Sequence, residues 1–78
     1  MIRDGSLAVP RYGQRLTKRE AEMLGALAEG ELSREIAERL CISPRTVETH
    51  LRHARVKLGA RTNVAAVFQW ATRYRTGP

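Results

Sequence analysis

The chain has 78 residues, one cysteine and a formal net charge of +6, with 42% hydrophobic residues. That is enough apolar material for one small domain with a modest core, and too little chain for two. Cys41 is alone, so an internal disulfide is excluded; no apolar run approaches membrane-spanning length and no signal-peptide pattern follows Met1, which together predict a cytoplasmic protein without a membrane partner. The charge is unevenly placed. Residues 1–48 carry eight basic and eight acidic side chains, whereas residues 49–78 carry Arg52, Arg55, Lys57, Arg61, Arg73 and Arg75 and no acid. An acid-free half of this kind points to a polyanion, with DNA ahead of RNA. Twelve of the fourteen basic residues are arginine, the residue suited to forked contacts with phosphate or guanine.

Residues 1–15 hold Gly5, Pro10 and Gly13 without apolar periodicity, and read as a mostly disordered leader or linker. Thr17 and Glu20 have capping-box spacing, so a first helix is predicted over about 18–29, ending at Gly30 and burying Ala21, Leu24, Leu27 and Ala28. Glu20 is assigned to the cap rather than to catalysis. A short second helix is predicted over 34–40, with Ser33 as its cap and Ile36, Ala37 and Leu40 facing inward.

The third helix, 44–58, is the most strongly marked. Ser43 is a good N-cap, Pro44 suits the first helical position, and Gly59 suits a left-handed exit. Val47, Leu51, Ala54 and Leu58 form one apolar stripe at about 100° per residue. Arg45, Thr49, Arg52 and Val56 point the opposite way, with Glu48 and Arg55 on the flank; such groups can read base edges from a major groove. The preceding short helix and the turn Cys41-Ile42-Ser43 complete a helix-turn-helix pattern, with Cys41 expected as a small buried hydrophobe. A fourth helix is predicted over about 63–74. Its apolar residues exceed one stripe, and Val64, Ala65, Phe68 and Ala71 are the candidates for an interface between subunits; helical angles alone leave open which of them face outward. Residues 76–78 are expected to fray.

These residues carry a resemblance. Leu16-Thr17-Lys18-Arg19-Glu20, Gly30, Glu35-Ile36-Ala37-Glu38-Arg39-Leu40, Ile42-Ser43, Thr46-Val47-Glu48-Thr49-His50 and Lys57-Leu58-Gly59 resemble the LuxR/GerE-type helix-turn-helix domain of bacterial transcription regulators. The resemblance implies an all-α, four-helix domain over residues 16–75. Its third helix would enter the major groove and its fourth would pair two subunits on a two-fold operator. By position it implies base contacts from Glu48, Thr49 and Arg52, joined by Arg45 from the helical angles. Phosphate contacts would come from Arg34, Ser43, Thr46, His53 and Lys57. Two residues depart from the usual pattern: Leu32 stands where Ser or Thr is common, and Glu48 where Lys is common. The implied partners are double-stranded DNA and a second copy of the chain, with RNA polymerase a further candidate. Both a stand-alone regulator and the C-terminal piece of a longer one fit the length.

Three other readings compete. The opening Leu-Thr-x-Arg-Glu also occurs in the promoter-binding region of sigma factors, but a fourth helix argues against that reading. A protein-interaction module without DNA is opposed by the acid-free second half. A catalytic or zinc site would have to use His50, His53 and Cys41, a set too small for tetrahedral coordination, so no cofactor, metal or catalytic residue is expected.

Overall fold

The computed structural model describes residues 9–75. Four α-helices follow one another: α1 (Lys18–Ala28), α2 (Ser33–Leu40), α3 (Pro44–Leu58) and α4 (Asn63–Trp70), the last continued by a wider π-helical turn, Ala71–Arg75. Among the described residues there is no strand, and no helix is long and apolar enough to cross a membrane. The expected ends of the chain, residues 1–8 of the leader and 76–78, lie outside the described residues.

Side chains close the helix starts. Thr17 Oγ1 accepts from the Glu20 N–H at 3.1 Å while Glu20 Oε1 accepts from the Thr17 N–H at 2.9 Å, the reciprocal box expected from their spacing. Ser43 and Thr62 accept from the N–H groups of Thr46 and Ala65. The second helix departs from expectation. It starts at Ser33, with Leu32 at the cap, and Glu35 Oε1 takes the Leu32 N–H at 2.8 Å. Glu35 thus makes one half of a capping box, the bond to the cap residue's own N–H, while Leu32 has no side-chain acceptor for the other half; Ser33 lies inside the helix with its hydroxyl on another contact.

The core is built from Met23, Leu24 and Ala26 of α1, Ile36 and Ala37 of α2, Val47, Leu51, Ala54 and Leu58 of α3, and Ala66 of α4. The stripe on α3 is buried as its spacing requires. On α1 the inner face is rotated from the expected one: Met23 and Ala26 are buried, Ala21 and Leu27 are half-buried, and Ala28 is exposed. The cause is Glu20, only 2% exposed and in the middle of that face. Leaving a carboxylate out of the stripe shifts its apparent centre toward Ala21 and Ala28.

A further expectation is corrected. Cys41 is exposed, not buried. It ends α2 in the left-handed conformation at φ 58°, which turns its side chain outward while Ile42 packs against the core. Ahead of α1, residues 11–14 touch the fold. Arg11 to Gln14 make a turn, the Gly13 N–H donates to the Lys57 carbonyl at 2.8 Å, and the Tyr12 ring lies on Gly59 so closely that an added Cβ would come within 2.6 Å of it. The last carbonyls of a helix have no partner within it, and Gly13 supplies one. Gly59 itself sits at φ 69°, so both space and conformation demand glycine there. The fourth helix keeps α-form only to Trp70. Beyond it the Thr72 hydroxyl donates to the Phe68 carbonyl at 2.8 Å, where the winding is wider than the predicted α-helix to 74.

Candidate nucleic-acid interface

The connection between α2 and α3 is held by backbone bonds at a single residue. The N–H groups of Cys41 and Ile42 both donate to the Ala37 carbonyl, the latter at 3.0 Å. Ala37, small and 3% exposed, lets the two helices approach. The short turn then starts α3 with Ser43 at its cap, and the buried stripe sets its roll. Once Val47, Leu51, Ala54 and Leu58 face inward, residues at roughly 150–200° from them must face out. Arg45, Glu48 and Arg52 are exposed, Thr49 is half-buried, and Val56 is 40% exposed. Of these, Arg45, Glu48, Thr49 and Arg52 are the residues expected to read bases, and they lie together on the outer side of α3.

That face is flanked on two sides. On the α2 side, Ser33 Oγ donates to Glu48 Oε2 at 3.3 Å, and Arg55 donates to the Asn63 side chain at the start of α4. On the α1 side stand Thr46, His50, His53 and Lys57, spaced to form a single row. The expected phosphate contacts fall on both sides: Arg34 is exposed on the first turn of α2, Ser43 is exposed, and Thr46 and His53 are half-buried. Arg34, Arg45 and Arg52 make no ion pair among the described residues, so their charge is uncompensated locally. The hydroxyls of Ser43 and Thr46 lie 2.9 Å apart.

Lys57, expected among the phosphate contacts, is held differently from the others. It is 8% exposed, and its ammonium donates to both carboxylate oxygens of Glu20 at 2.9 and 3.1 Å. Two of the three ammonium donors are taken up by this buried pair, which pins the first turn of α1 to the last turn of α3. Its role was hidden in the sequence because 37 residues separate the two partners. The contacts Ser33–Glu48 and Arg55–Asn63 are equally hidden, since they too join residues of different helices.

His50 feels this arrangement. Burial pushes its imidazole below the ordinary histidine range; Glu20 opposes the shift, and Arg19, His53 and Lys57 add to it. On the far side of the molecule Arg39 donates to Glu31 at 3.0 and 2.7 Å, and that hydrogen-bonded pairing holds the Glu31 carboxyl below the usual range. Among the described residues, no group of three or more His, Cys, Asp or Glu side chains could hold a metal ion.

The fourth helix presents a different surface. Val64 is 81% and Phe68 68% exposed, one turn apart on a single ridge, while Ala65 and Ala71 are half-buried. An open groove of about 410 Å³ lies elsewhere, between Gly25, Ala26, Glu29, Glu31, Arg39 and Trp70.

Comparisons with known proteins agree with this geometry. Residues 14–69 match the profile of bacterial regulatory proteins of the luxR family. A Mycobacterium bovis protein described as an HTH-type transcriptional regulator, Mb0914c, is 43% identical over 58 residues, covering 74% of this chain and 7% of that protein. The oxygen regulatory protein NreC of Staphylococcus aureus is 47% identical over 47 residues, covering 60% of this chain and 22% of that one. The chain therefore spans a small part of the length of these relatives. Among solved structures, the response regulator ChrA of a heme-sensing two-component system superposes with a TM-score of 0.73 at 38% identity, over 87% of this chain and 33% of ChrA. A structure of two RcsB dimers bound to two parallel DNAs superposes with a TM-score of 0.68 at 29% identity, over 92% of this chain and 36% of that one. Since the profile runs from the residues just before α1 into α4, through the helix-turn-helix and its capped third helix, the chain belongs to the luxR family of bacterial regulatory proteins.

Proposed function

We propose that the chain binds double-stranded DNA in a sequence-specific way, as the DNA-reading part of a cytoplasmic transcription regulator. The observation that carries this is the outer face of α3: Arg45 and Arg52 exposed and unpaired, beside Thr49 and Glu48, on a helix whose roll is set by an unbroken buried stripe. In the major groove, Arg45 and Arg52 suit the acceptors of guanine, Thr49 suits either donors or acceptors, and Glu48 suits the amino group of cytosine. Arg34, Ser43, Thr46 and His53 would hold phosphates on the two sides of the groove. Lys57 has no phosphate in this scheme and positions α3 through Glu20.

Pairing of two copies through α4 is part of the same reading. One domain of this size covers about one half-site, and the exposed ridge of Val64 and Phe68, with Ala65 and Ala71 beside it, is apolar surface that a second copy would cover. The RcsB dimers on DNA support this arrangement by similarity. Two copies would place their α3 helices roughly 34 Å apart in successive major grooves.

Selection of bound sequences from a random duplex pool, without polymerase, tests the proposal. Enrichment of an inverted repeat is expected, with binding that falls with salt at a log–log slope of about 4 per copy. A pool that stays random would overturn it; binding that appears only with polymerase would favour the sigma-like reading.

A further inference from the structure

A helix lying in the major groove has a phosphate backbone along each side. On one side of α3 the backbone would meet α2, where Arg34 carries a fixed charge. The other side faces α1 and is chemically different. Its row is Thr46, His50, His53 and, at its buried end, Lys57. The first turn of α1 is clamped against that row by the two Lys57–Glu20 hydrogen bonds. That clamp brings Glu20 and its neighbour Arg19 of α1 up to Lys57 and the histidines of α3, and these charges act on the His50 imidazole. Glu20 and Lys57 spend their charges on each other in the interior. Arg19 is exposed, and its contact with Glu22 at 3.4 Å is long and open to solvent on both sides, so it gives way readily to a phosphate. What remains toward solvent is one guanidinium and two half-buried imidazoles.

We propose that this α1-side row, Arg19 with His50 and His53, is a second phosphate-backbone contact whose hold on DNA strengthens as the His50 imidazole takes up a proton. The inference rests on the proposed DNA binding and adds a site and a control to it. The sign follows from linkage. Burial, with the neighbouring cations, disfavours the charged form of the His50 imidazole in the free protein, whereas a phosphate beside it favours that form. Binding therefore draws in protons, and affinity rises as pH falls. The α2 side, with its arginine, holds DNA at any physiological pH, and the α1 side adds to it under acid.

The test uses the whole chain and the duplex obtained from the pool, with fluorescence anisotropy at constant ionic strength from pH 8 to pH 5.5. Affinity is expected to tighten roughly 3–10-fold over that range. The pair of substitutions His50→Gln and His53→Gln should flatten the profile, and Arg19→Gln should lower the salt slope by about 1 at every pH. Titration calorimetry of the parent at pH 6, in two buffers of different ionisation enthalpy, should register net proton uptake, and it decides the matter if the double variant does not fold. A flat profile, no proton uptake, or a pH dependence that survives in the folded double variant would overturn the inference. Failure to bind any duplex at pH 8 would instead sink the DNA-binding reading itself.

Discussion

The third and fourth helices face the same core from adjacent positions, both start on a hydroxyl cap, and both have surface to spare, yet they are held and finished in opposite ways. The inner side of α3 contributes four fully packed apolar residues and the buried Lys57, whereas α4 contributes only Ala66 to the buried set, with Val67 and Trp70 half-covered. The outer side of α3 is arginine, threonine and glutamate; that of α4 is valine and phenylalanine. Precise placement is what a base reader needs, because hydrogen bonds to base edges tolerate little displacement. An apolar ridge meeting its own copy tolerates more. The difference teaches where this fold spends its rigidity: on the helix proposed to carry the chemistry of recognition.

The largest effect should follow from loosening α3 at its anchor. Lys57→Ala leaves the Glu20 carboxylate buried without its cation, and removing one partner of such a pair costs about 3–5 kcal/mol. Urea unfolding would measure it. A loss below about 1 kcal/mol would mean that α3 is held by its apolar stripe alone, and the contrast with α4 would shrink. The same variant should lose DNA binding only to the extent that it unfolds, which separates positioning from phosphate contact.

Next comes the outer face of α3. Arg52→Ala should cost roughly 1–3 kcal/mol in binding and relax the preference at one position of each half-site. Competition binding against single-base variants of the selected duplex would show it. A uniform loss over all sequences would reassign Arg52 to the backbone.

The outer face of α4 should behave in the reverse way. Val64→Asp adds a charge to a residue that is 81% exposed, so stability should change by no more than about 0.5 kcal/mol. Cooperative binding to a full inverted repeat should nevertheless disappear, while binding to an isolated half-site persists. Full-site cooperativity that survives the substitution would place the contact between copies elsewhere.

The smallest effect concerns the α1 side of α3. Because burial lowers the folded-state value of His50 below its unfolded one, the folded form gains stability that is complete above about pH 6.5 and is lost as pH falls through the lower, folded value. The urea midpoint should thus fall modestly between pH 7.5 and pH 5.5, and less so in His50→Gln. This trend in the free protein is opposite in sign to that proposed for the complex, so acid loss of fold cannot imitate acid-strengthened binding.

Much of this was legible in the chain because it is local. Thr17 with Glu20, Ser43 with Pro44 and Gly59, and the recurrence of Val47, Leu51, Ala54 and Leu58 all act within a helix or at its ends, where spacing alone dictates geometry. The outward set Arg45, Thr49 and Arg52 follows from that stripe by rotation. Where the reading slipped, a local rule was overridden by something outside its window. Glu20 was assigned its cap but not its burial, since burial of a carboxylate becomes affordable only through a cation 37 residues away. Ser33 reads as a cap, yet the helix begins one residue earlier and Glu35 binds the Leu32 N–H; Cys41 reads as buried because a left-handed residue at that turn cannot be read from a non-glycine letter.

The sequence by itself thus determined the helices, the caps of α1 and α3, the order that makes a helix-turn-helix, and the family, because periodicity and capping are short-range and nearly additive. Only the tertiary structure decided which charges are spent inside and which remain outside. Lys57 and Arg52 lie five residues apart on one helix with the same sign of charge, yet one is closed on Glu20 and the other is exposed. Likewise only packing separated Ala66 from Val64 and Phe68 on a helix apolar on every side. Solvation and pairing depend on what other segments bring to a residue, and that is a property of the folded chain.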